Sequence, residues 1–429
     1  MEEWTEDYDP MRIKGPIMQR DNVFEIKSVS VGKNRIDYDY EIRGEWSEFF
    51  NTEEKLFIEF SEEISALPES VAGLALLGNI LPIAWVCDAL IIVPSIDKSF
   101  YDSIPDFKKG YIEMHPKISF KGELKAGVVE QNTLTKGSGC LALFSGGVDA
   151  FSTLVNHMDE KPTLVTIWGA DVKLDDVLGW KNVSDHVDSV CSEFGLDKVS
   201  VKSNFRTIIR EGVLDSLVAE TGDGWWHGFQ HGLALITHTA PIANVKNKSI
   251  VYIASSFTIE QKGVSCASDP TIDNFIRFGN TKVVHDGYEF NRQMKLRIIA
   301  NYVKKSGHRI RVHVCWRSEG GRNCCRCEKC MRTILGLYAT GEDPKEYGFG
   351  YSDFSDLCLF IKNNRWVLSK PNFVSTYTLI QKSLQETYSY EEVEPNLRWF
   401  YKADLTRFNP YPLGLRIKNK LRRLLSRFK

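Results

Sequence analysis

Residues Cys140 to Ser152 read CLALFSGGVDAFS, and no other run limits the possible folds as tightly. Cys140-Leu-Ala-Leu-Phe144 is a short apolar run of a length that suits one buried strand. Ser145-Gly146-Gly147-Val148-Asp149 is a tight polar turn. From Ala150 onward, Phe151, Leu154, Val155 and Met158 follow a helical period. A glycine turn between a strand and a helix lets backbone N–H groups converge and aims a helix N-terminus at whatever occupies the turn. Such a turn suits phosphate or pyrophosphate; an ordinary strand-to-helix turn with two glycines is the bland alternative. It is not a Walker loop, because no G-x-x-x-x-G-K-[ST] occurs in the chain.

Strands and helices then alternate. Thr163–Trp168 predicts a second strand, Asp175–Phe194 an amphipathic helix, and Lys198–Val201 a third strand. Trp226–Ala243 reads as mostly helix and Ser249–Ala254 as a fourth strand. Beyond them, Val264–Asn280 reads as a polar loop, Lys282–His285 as a strand, Asn291–Lys304 as a helix and Arg311–Val314 as a last strand. This rhythm predicts an α/β fold built on a doubly wound parallel sheet. Ligands of such sheets lie beyond the carboxyl ends of the strands. That rule gathers Ser145–Asp149, Gly169–Asp171 and Ser255-Ser256 at one edge.

Residues 1–135 read as an appended N-terminal α+β region. Phe24–Val31 and Arg35–Ile42 alternate apolar and polar residues, with Gly32–Asn34 as their turn. Leu56–Ile64 suggests a strand, Leu67–Leu81 a helix and Asp88–Val93 another strand. Lys121–Gly139 has little apolar periodicity and reads as a linker. With 429 residues, two or three domains are expected: residues 1–135, the α/β domain over 136–345, and a helical extension over 346–429.

A net charge of −2 implies no general affinity for nucleic acid. The basic residues are nevertheless uneven. Gly414–Lys429 holds Arg416, Lys418, Lys420, Arg422, Arg423, Arg427 and Lys429 without an acid, and Leu421, Leu424, Leu425 and Phe428 fall on one side. A basic amphipathic tail can dock on its own protein, on a partner, on a membrane surface or on nucleic acid. The N-terminal MEEWTEDYDP has no apolar core of a signal peptide. Val71–Val93 is interrupted by Asn79, Pro82 and Asp88, which argues against a membrane span. A cytoplasmic protein is the expectation.

The cysteines sharpen that expectation. Of ten, Cys315, Cys324, Cys325, Cys327 and Cys330 fall within one short segment. Secreted disulfide scaffolds spread their cysteines, whereas clustering points to a metal. Cys315, Cys324, Cys327 and Cys330 form C-x8-C-x2-C-x2-C, and four thiolates close a tetrahedral site to water, so structural Zn2+ is expected. An iron–sulfur cluster is the alternative metal, buried free thiols the non-metal reading, and Cys325 a substitute ligand. Glu328 to Leu337 then runs into a helix.

These two features together carry a family resemblance. Ser145-Gly146-Gly147-x-Asp149 resembles the PP-loop of ATP pyrophosphatases. A PP-loop on the first strand of a parallel sheet, with C-x8-C-x2-C-x2-C near its end, resembles the 7-cyano-7-deazaguanine synthase family over about residues 138–345. The resemblance implies a PP-loop, HUP-like Rossmannoid fold, and ATP-dependent activation of 7-carboxy-7-deazaguanine as an acyl-adenylate for attack by ammonia. It also implies ATP and Mg2+ as cofactors, with Zn2+ structural. Phe144, Ser145, Gly146, Gly147, Val148 and Asp149 would then hold the phosphates, Gly169 would lie near adenine, and Ser255 and Ser256 would end the fourth strand at the nucleotide. Arg292 and Lys295 fall on the family's basic helix.

The chain departs from the family where the substrate would sit. Ala150 replaces the Ser that ends the loop, Trp225-Trp-His-Gly-Phe-Gln-His231 replaces an Arg-Asn pair, and Ser255-Ser-Phe257 replaces Gly-Val-Asn. Enlarged relatives of this kind are associated with bacterial anti-phage defence clusters, as the resemblance implies. Asp149 and Ser145, with Lys295 and Arg292, are the candidate catalytic residues; Lys295 and Arg292 read alternatively as helix surface. His227 and His231, spaced i,i+4, share a helix face; they stand near substrate or pack beside Trp225 and Trp226. Asp269 and Asp273 can accept the paired N–H donors of a guanine-like edge, or merely shape a turn. Ammonia, or an amine on a protein or nucleic acid, is the expected acceptor, with a protein partner reached through the N-terminal region or basic tail, and a homodimer compatible with all of this. The rival readings are a PP-loop RNA-thiolating or amide-forming ligase, for which Cys266 is the loop thiol, and a non-catalytic nucleotide-binding scaffold or sensor.

Overall fold

The computed structural model describes residues 21–132, 137–261, 265–315, 322–351 and 371–405, with isolated positions between 354 and 359. The basic tail lies outside the described residues. The alternating runs form β1 (Val23–Val31) and β2 (Arg35–Arg43), an antiparallel hairpin bulged between Ile26 and Ser28. β3 (Phe57–Phe60) is shorter than the predicted strand. α1 (Glu69–Ala72) and α2 (Leu74–Val86) follow, and α2 passes the predicted end at Leu81 with Pro82 inside it. Every α2 residue from Leu74 to Trp85 is buried, so packing outweighs the one N–H that proline removes.

β4 (Leu90–Asp97) leads through α3 (Lys98–Met114) to β5 (Glu123–Glu130). β5 corrects the reading of Lys121–Gly139 as linker throughout. It pairs parallel with β4 from Leu90↔Glu123 to Asp97↔Glu130. As a half-exposed edge strand it is ordered by backbone pairing, and no apolar pattern marks it.

The next segment follows the predicted rhythm. It comprises β6 (Cys140–Leu143), α4 (Val148–Asn156), β7 (Thr163–Trp168), α5 (Val177–Phe194) and β8 (Lys198–Ser203). α6 (Glu211–Leu217), a π turn at Trp226–Gln230, α7 (His231–Thr237), α8 (Ala240–Val245) and β9 (Ile250–Ala254) come next. The expected polar loop contains α9 (Pro270–Asp273) and β10 (Arg277–Phe278); β11 (Thr281–Asp286), α10 (Arg292–Ser306) and α11 (Glu328–Tyr338) follow. Arg311–Val314 is not a strand. Its amides bond loops instead: Val312 N donates to Tyr347 O (3.0 Å) and His313 N to Gly146 O (2.6 Å).

The eleven strands share one mostly parallel sheet, in the order β10-β11-β9-β6-β7-β8-β3-β2-β1-β4-β5. The N-terminal strands extend this sheet, because β3 pairs antiparallel with β8 at Ile58↔Ser203. Successive strand residues face opposite sides, and the cores divide accordingly. Leu141, Val165 and Val251 join α2, α7 and α8 in one core. Cys140, Ala142, Leu164 and Tyr252 join α4, α10 and α11 in the other. β6, β7 and β9 are thus covered on both faces, and this is why they read as continuous apolar runs. β2 instead buries Ile36, Tyr38 and Tyr40 and exposes Asp37, Asp39 and Glu41, as a one-sided strand must.

β6 leads to α4 on one face and then to β7. β9 lies on the other side of β6 and leads to α9, whose Ile272 belongs to the opposite core. The connections leaving β6 and β9 therefore diverge. This is the topological switch point at which open α/β sheets hold their ligands.

Candidate functional site

The SGGVD turn stands at that switch point. Gly146 has φ of +74°, a conformation that favours glycine. A Cβ there would also meet the His186 ring at 2.8 Å. Gly147 is the N-cap of α4 and has no side chain to bond the helix amides. Phe144 is buried and packs edge-on against Phe151, with centroids 5.0 Å apart, while Ser145 is exposed at the mouth of the turn. Ala150 is buried in the core beneath α4.

Asn291 caps α10 through its side chain, which accepts from Met294 N at 3.0 Å. Arg292 and Lys295, one turn apart on α10, both reach Asp149. Arg292 Nη1 lies 3.2 Å from Oδ2, and Lys295 Nζ 3.1 Å from Oδ1. Lys295 is only 2% exposed and also donates to the Ser255 carbonyl at the end of β9. It thereby spans the crevice between the two diverging connections. Burial works to raise the Asp149 carboxyl, but the Lys295 charge, then that of Arg292, holds it below its ordinary value. The helix-surface alternative for Lys295 and Arg292 does not survive this geometry.

α11 adds cations that the sequence reading did not single out. Arg292 Nη2 donates to Thr333 Oγ1 at 3.2 Å, and the Arg332 charge acts on Asp149. Lys329 is exposed, yet crowding by protein, then the Arg292 charge, lowers its pKa. Arg292, Lys295, Lys329 and Arg332 thus outnumber Asp149 and Glu328 around the turn. His186 Nε2 and His313 Nε2, on either side of Gly146, are buried without a hydrogen-bond partner. Burial depresses both imidazoles, that of His186 to about 4, so each presents a neutral ring to the turn. In the sequence His186 resembles any residue of an amphipathic helix, and only the turn packed on it distinguishes it.

The remaining candidates fall into two groups. Ser255 is fully buried and its hydroxyl donates to Phe257 O at 2.7 Å, whereas Ser256 is exposed. Gly169 has φ of +109°, and a Cβ would lie 1.9 Å from the Ser203 carbonyl, so β7 and β8 approach closely there. Asp269 caps α9, accepting from Thr271 N at 2.9 Å. Asp273 is fully buried, bonded to His285 Nδ1 and Ser268 Oγ at 2.8 Å each. Asp269 is thus a partly exposed helix cap, whereas Asp273 lies inside the fold with its Oδ1 lacking a hydrogen-bond partner. His227 and His231 sit on the π turn and the start of α7, where His227 Nδ1 bonds Asp223 Oδ2 at 2.8 Å and Trp226 packs on His231 at 5.0 Å.

Cys315, Cys324, Cys327 and Cys330 form a metal-sized cluster, with all four Sγ atoms within 4.8 Å of one another. A tetrahedral zinc with bonds of about 2.3 Å spaces its sulfurs about 3.8 Å apart. The separation of Cys315 Sγ and Cys327 Sγ is 3.8 Å. The space suits one ion and leaves no room for the irons of a cluster. Backbone N–H groups of Arg326 and Cys327 lie 3.5 and 3.3 Å from Cys324 Sγ. Hydrogen bonding from Cys330, then from Cys324 and Cys315, lowers the Cys327 thiol. Cys325, at φ of +52°, turns its thiol to the Asn323 carbonyl and stays out of the cluster.

Comparison of the chain with family models, curated proteins and solved structures gives no match. Chemistry therefore has to be read from the site itself. A glycine turn, an uncapped helix N-terminus and an excess of cations together suit a polyanion. Two open surface concavities, of about 630 Å3 beside Arg35 and Phe57 and about 720 Å3 beside Ser99 and Arg277, contain none of these residues. No helix among the described residues is long and apolar enough to cross a membrane.

Proposed function

We infer that the chain is an ATP-dependent ligase of the 7-cyano-7-deazaguanine synthase type. It activates a carboxylate with release of pyrophosphate and passes the acyl group to ammonia or to an amine on a larger molecule. The substrate is 7-carboxy-7-deazaguanine or a related acid. The observation that carries this reading is the bridge from α10 to Asp149 across the switch point, beside a glycine turn that leaves its helix amides uncapped. ATP supplies the leaving group when bound. The turn amides and the α4 N-terminus would hold its phosphates, and Arg292, Lys295, Lys329 and Arg332 would meet the charge that grows on pyrophosphate. Asp149, paired with two cations, orients them; Mg2+ would share that carboxylate.

Zn2+ is structural in this reading. Cys327 immediately precedes α11, so a metal held there fixes the helix that carries Lys329, Arg332 and Thr333. Ala150 offers no hydroxyl, so the helix start would meet phosphate through its backbone donors. The test is incubation with ATP, Mg2+ and 7-carboxy-7-deazaguanine, with AMP and pyrophosphate measured with and without ammonium. Substrate-dependent AMP that Asp149→Ala abolishes supports the reading. ATP binding without AMP, across carboxylates and amines, would replace it with the nucleotide-binding scaffold.

A further inference from the structure

A second cluster stands on the same sheet edge and takes no part in the chemistry above. Cys266, 3% exposed, lies in the segment between β9 and α9, with its thiol beside the rings of His227 and His231. Ala267 N donates to the His227 carbonyl at 2.7 Å and so pins the cysteine to the π turn. Asp223 Oδ2 holds His227 Nδ1 at 2.8 Å and also accepts from Ser265 Oγ at 2.8 Å. Asp223 Oδ1 is bonded to Gly224 N at 2.9 Å, so the carboxylate is fixed at both oxygens. The His227 side chain is 42% exposed and forms the open side of the cluster. The order carboxylate, imidazole, thiol is that of an activated nucleophile oriented by a third group.

We propose that Cys266 is a nucleophilic thiolate that accepts an acyl group as a thioester, with His227 as its acid–base partner and Asp223 as the residue that positions His227.

Burial alone would raise the Cys266 thiol, and the hydrogen bonds of His227 and His231 bring it down to about 7. Asp223 bonding, then that of Cys266, raises His227 to about 10, and the Cys266 share is lost when the sulfur is acylated. At neutral pH about half of the Cys266 sulfur is therefore thiolate, and it faces an imidazolium. The other ionisable groups that face the cluster are Asp171 and Asp273, whose charges act on His231, and Tyr111, which senses Cys266 from α3. His231, against the effect of burial, is raised by Cys266 and then by the two aspartates, and is a second cation beside the thiol. A metal is not the better reading, because the cysteine foursome is the one His/Cys/Asp/Glu group of metal-binding compactness among the described residues.

The location ties the thiol to the ATP reading, on which the source of the acyl group rests. The His227 ring packs on Phe257, just past β9, with centroids 5.6 Å apart. Asp171, just past β7, acts on both His231 and Lys329. In the step, sulfur attacks the acyl carbon of the acyl-adenylate, a C–S bond forms, and the C–O bond to phosphate breaks with its electron pair leaving on AMP. His227, deprived of its thiolate partner, releases its proton to solvent. A primary amine or ammonia then attacks the thioester carbon. The C–N bond forms, the C–S pair returns to sulfur, and neutral His227 takes the proton from nitrogen. Such a relay lets the acid be activated at one point of the edge and transferred at another.

Two assays on the full chain test this. Carbamidomethylation of Cys266 by iodoacetamide, followed by peptide mass spectrometry from pH 5 to 10, reads the thiolate directly. At pH 7 the native site is expected to react about 15-fold faster than an ordinary thiol, from a half-ionised against an about 3% ionised sulfur. Asp223→Asn should move the inflection upward, a change that loss of packing alone would not produce, and His227→Gln should reduce the advantage to what His231 alone supports. Acyl capture is read with p-nitrophenyl acetate, which bypasses ATP, and with ATP plus 7-carboxy-7-deazaguanine. A hydroxylamine-labile adduct on Cys266, lost in Cys266→Ser, supports the proposal. Native Cys266 that is labelled only above pH 9, or acyl transfer unchanged in Cys266→Ser, overturns it. Cys266→Ser should retain ATP–pyrophosphate exchange. Loss of that exchange in the native protein, with p-nitrophenyl acetate still acylating Cys266, overturns the ATP reading and leaves the nucleophile standing.

Discussion

Replacing Lys295 with methionine removes the one buried cation that spans the switch point. The side chain is 2% exposed, and its ammonium serves Asp149 Oδ1 and the Ser255 carbonyl together. Methionine fills much of the space but leaves both acceptors without that donor. Breaking a buried ion pair from one side costs about 3–5 kcal/mol. Asp149 is 23% exposed and keeps Arg292 at 3.2 Å, which places Lys295→Met near the low end, about 3 kcal/mol. With a urea slope of about 3 kcal/mol/M, the midpoint falls by about 1 M. Asp149→Asn alone is also destabilising, since it leaves the ammonium buried beside a neutral amide. In the double variant the uncompensated charge is gone, so the two costs should fall short of their sum by about 2 kcal/mol. Urea unfolding of the four proteins, followed by tryptophan fluorescence, gives that coupling. Strictly additive losses would refute the claim that the bridge acts as a unit.

Three further outcomes follow from the same geometry. Native protein should contain about one zinc per chain by elemental analysis, and Cys330→Ser should lose it while Cys325→Ser keeps it; retention in the former or loss in the latter contradicts the ligand set. Gly169→Ala forces a Cβ to within 1.9 Å of the Ser203 carbonyl at φ of +109°, and a cost of at least about 2 kcal/mol in urea unfolding is expected; native-like stability would mean that β7 and β8 separate easily. The third concerns His157, which lies 2.9 Å from Asp286, the acceptor of Thr153 Oγ1 at 2.7 Å. Hydrogen bonding to Asp286 raises His157 above 6.5, so its contribution is full below about that pH and fades as pH rises through the folded value. Asp286, pushed up by burial but held below 3.8 by His157, contributes above that pH and loses its part as pH falls. The stability gap between native protein and Asp286→Asn should therefore be widest between about pH 4 and 6.5 and narrow toward pH 9; a gap that widens with rising pH would reverse the assignment.

Parts of the fold were legible in the sequence because burial on both faces leaves a plain signature. β6, β7 and β9 read as apolar runs, and β2 as a strict alternation. β5 was not legible, since its order comes from pairing with β4 and its side chains carry little of the core. The same holds for Arg311–Val314, whose apolar residues face the core while its amides bond loops instead of a ladder. At the site, Asp149, Arg292 and Lys295 converge although 143 positions separate the first two, and the i,i+3 spacing on a capped helix was the only local sign. His186, Lys329 and Arg332 gave no sign at all: each sits on an amphipathic helix where a polar residue is ordinary, and only the tertiary contact brings a neutral imidazole and two cations to the turn. Asp223 was equally silent, because its role depends on a π turn that brings it under His227.

The chain places cysteine in two chemically opposed environments, and the surroundings of each thiol set what it can do. In the foursome, sulfur meets sulfur and backbone N–H groups. Four thiols packed this closely can give up their protons to one divalent ion, and an ion so held would be structural because sulfur fills all four of its positions. Cys266 has the opposite arrangement. Its neighbours are two imidazoles, one held by a carboxylate, so the negative charge on sulfur is stabilised without a metal and its lone pairs remain available. Exchanging the partners should exchange the behaviour. His227→Cys would replace the imidazolium with a second thiol, and the Cys266 sulfur would then return toward a protonated, unreactive state despite unchanged burial. Iodoacetamide labelling of Cys266 in that variant, against the native protein at pH 7, distinguishes an effect of charge from one of access. Equal rates would show that exposure alone, and not the His227 charge, governs this thiol.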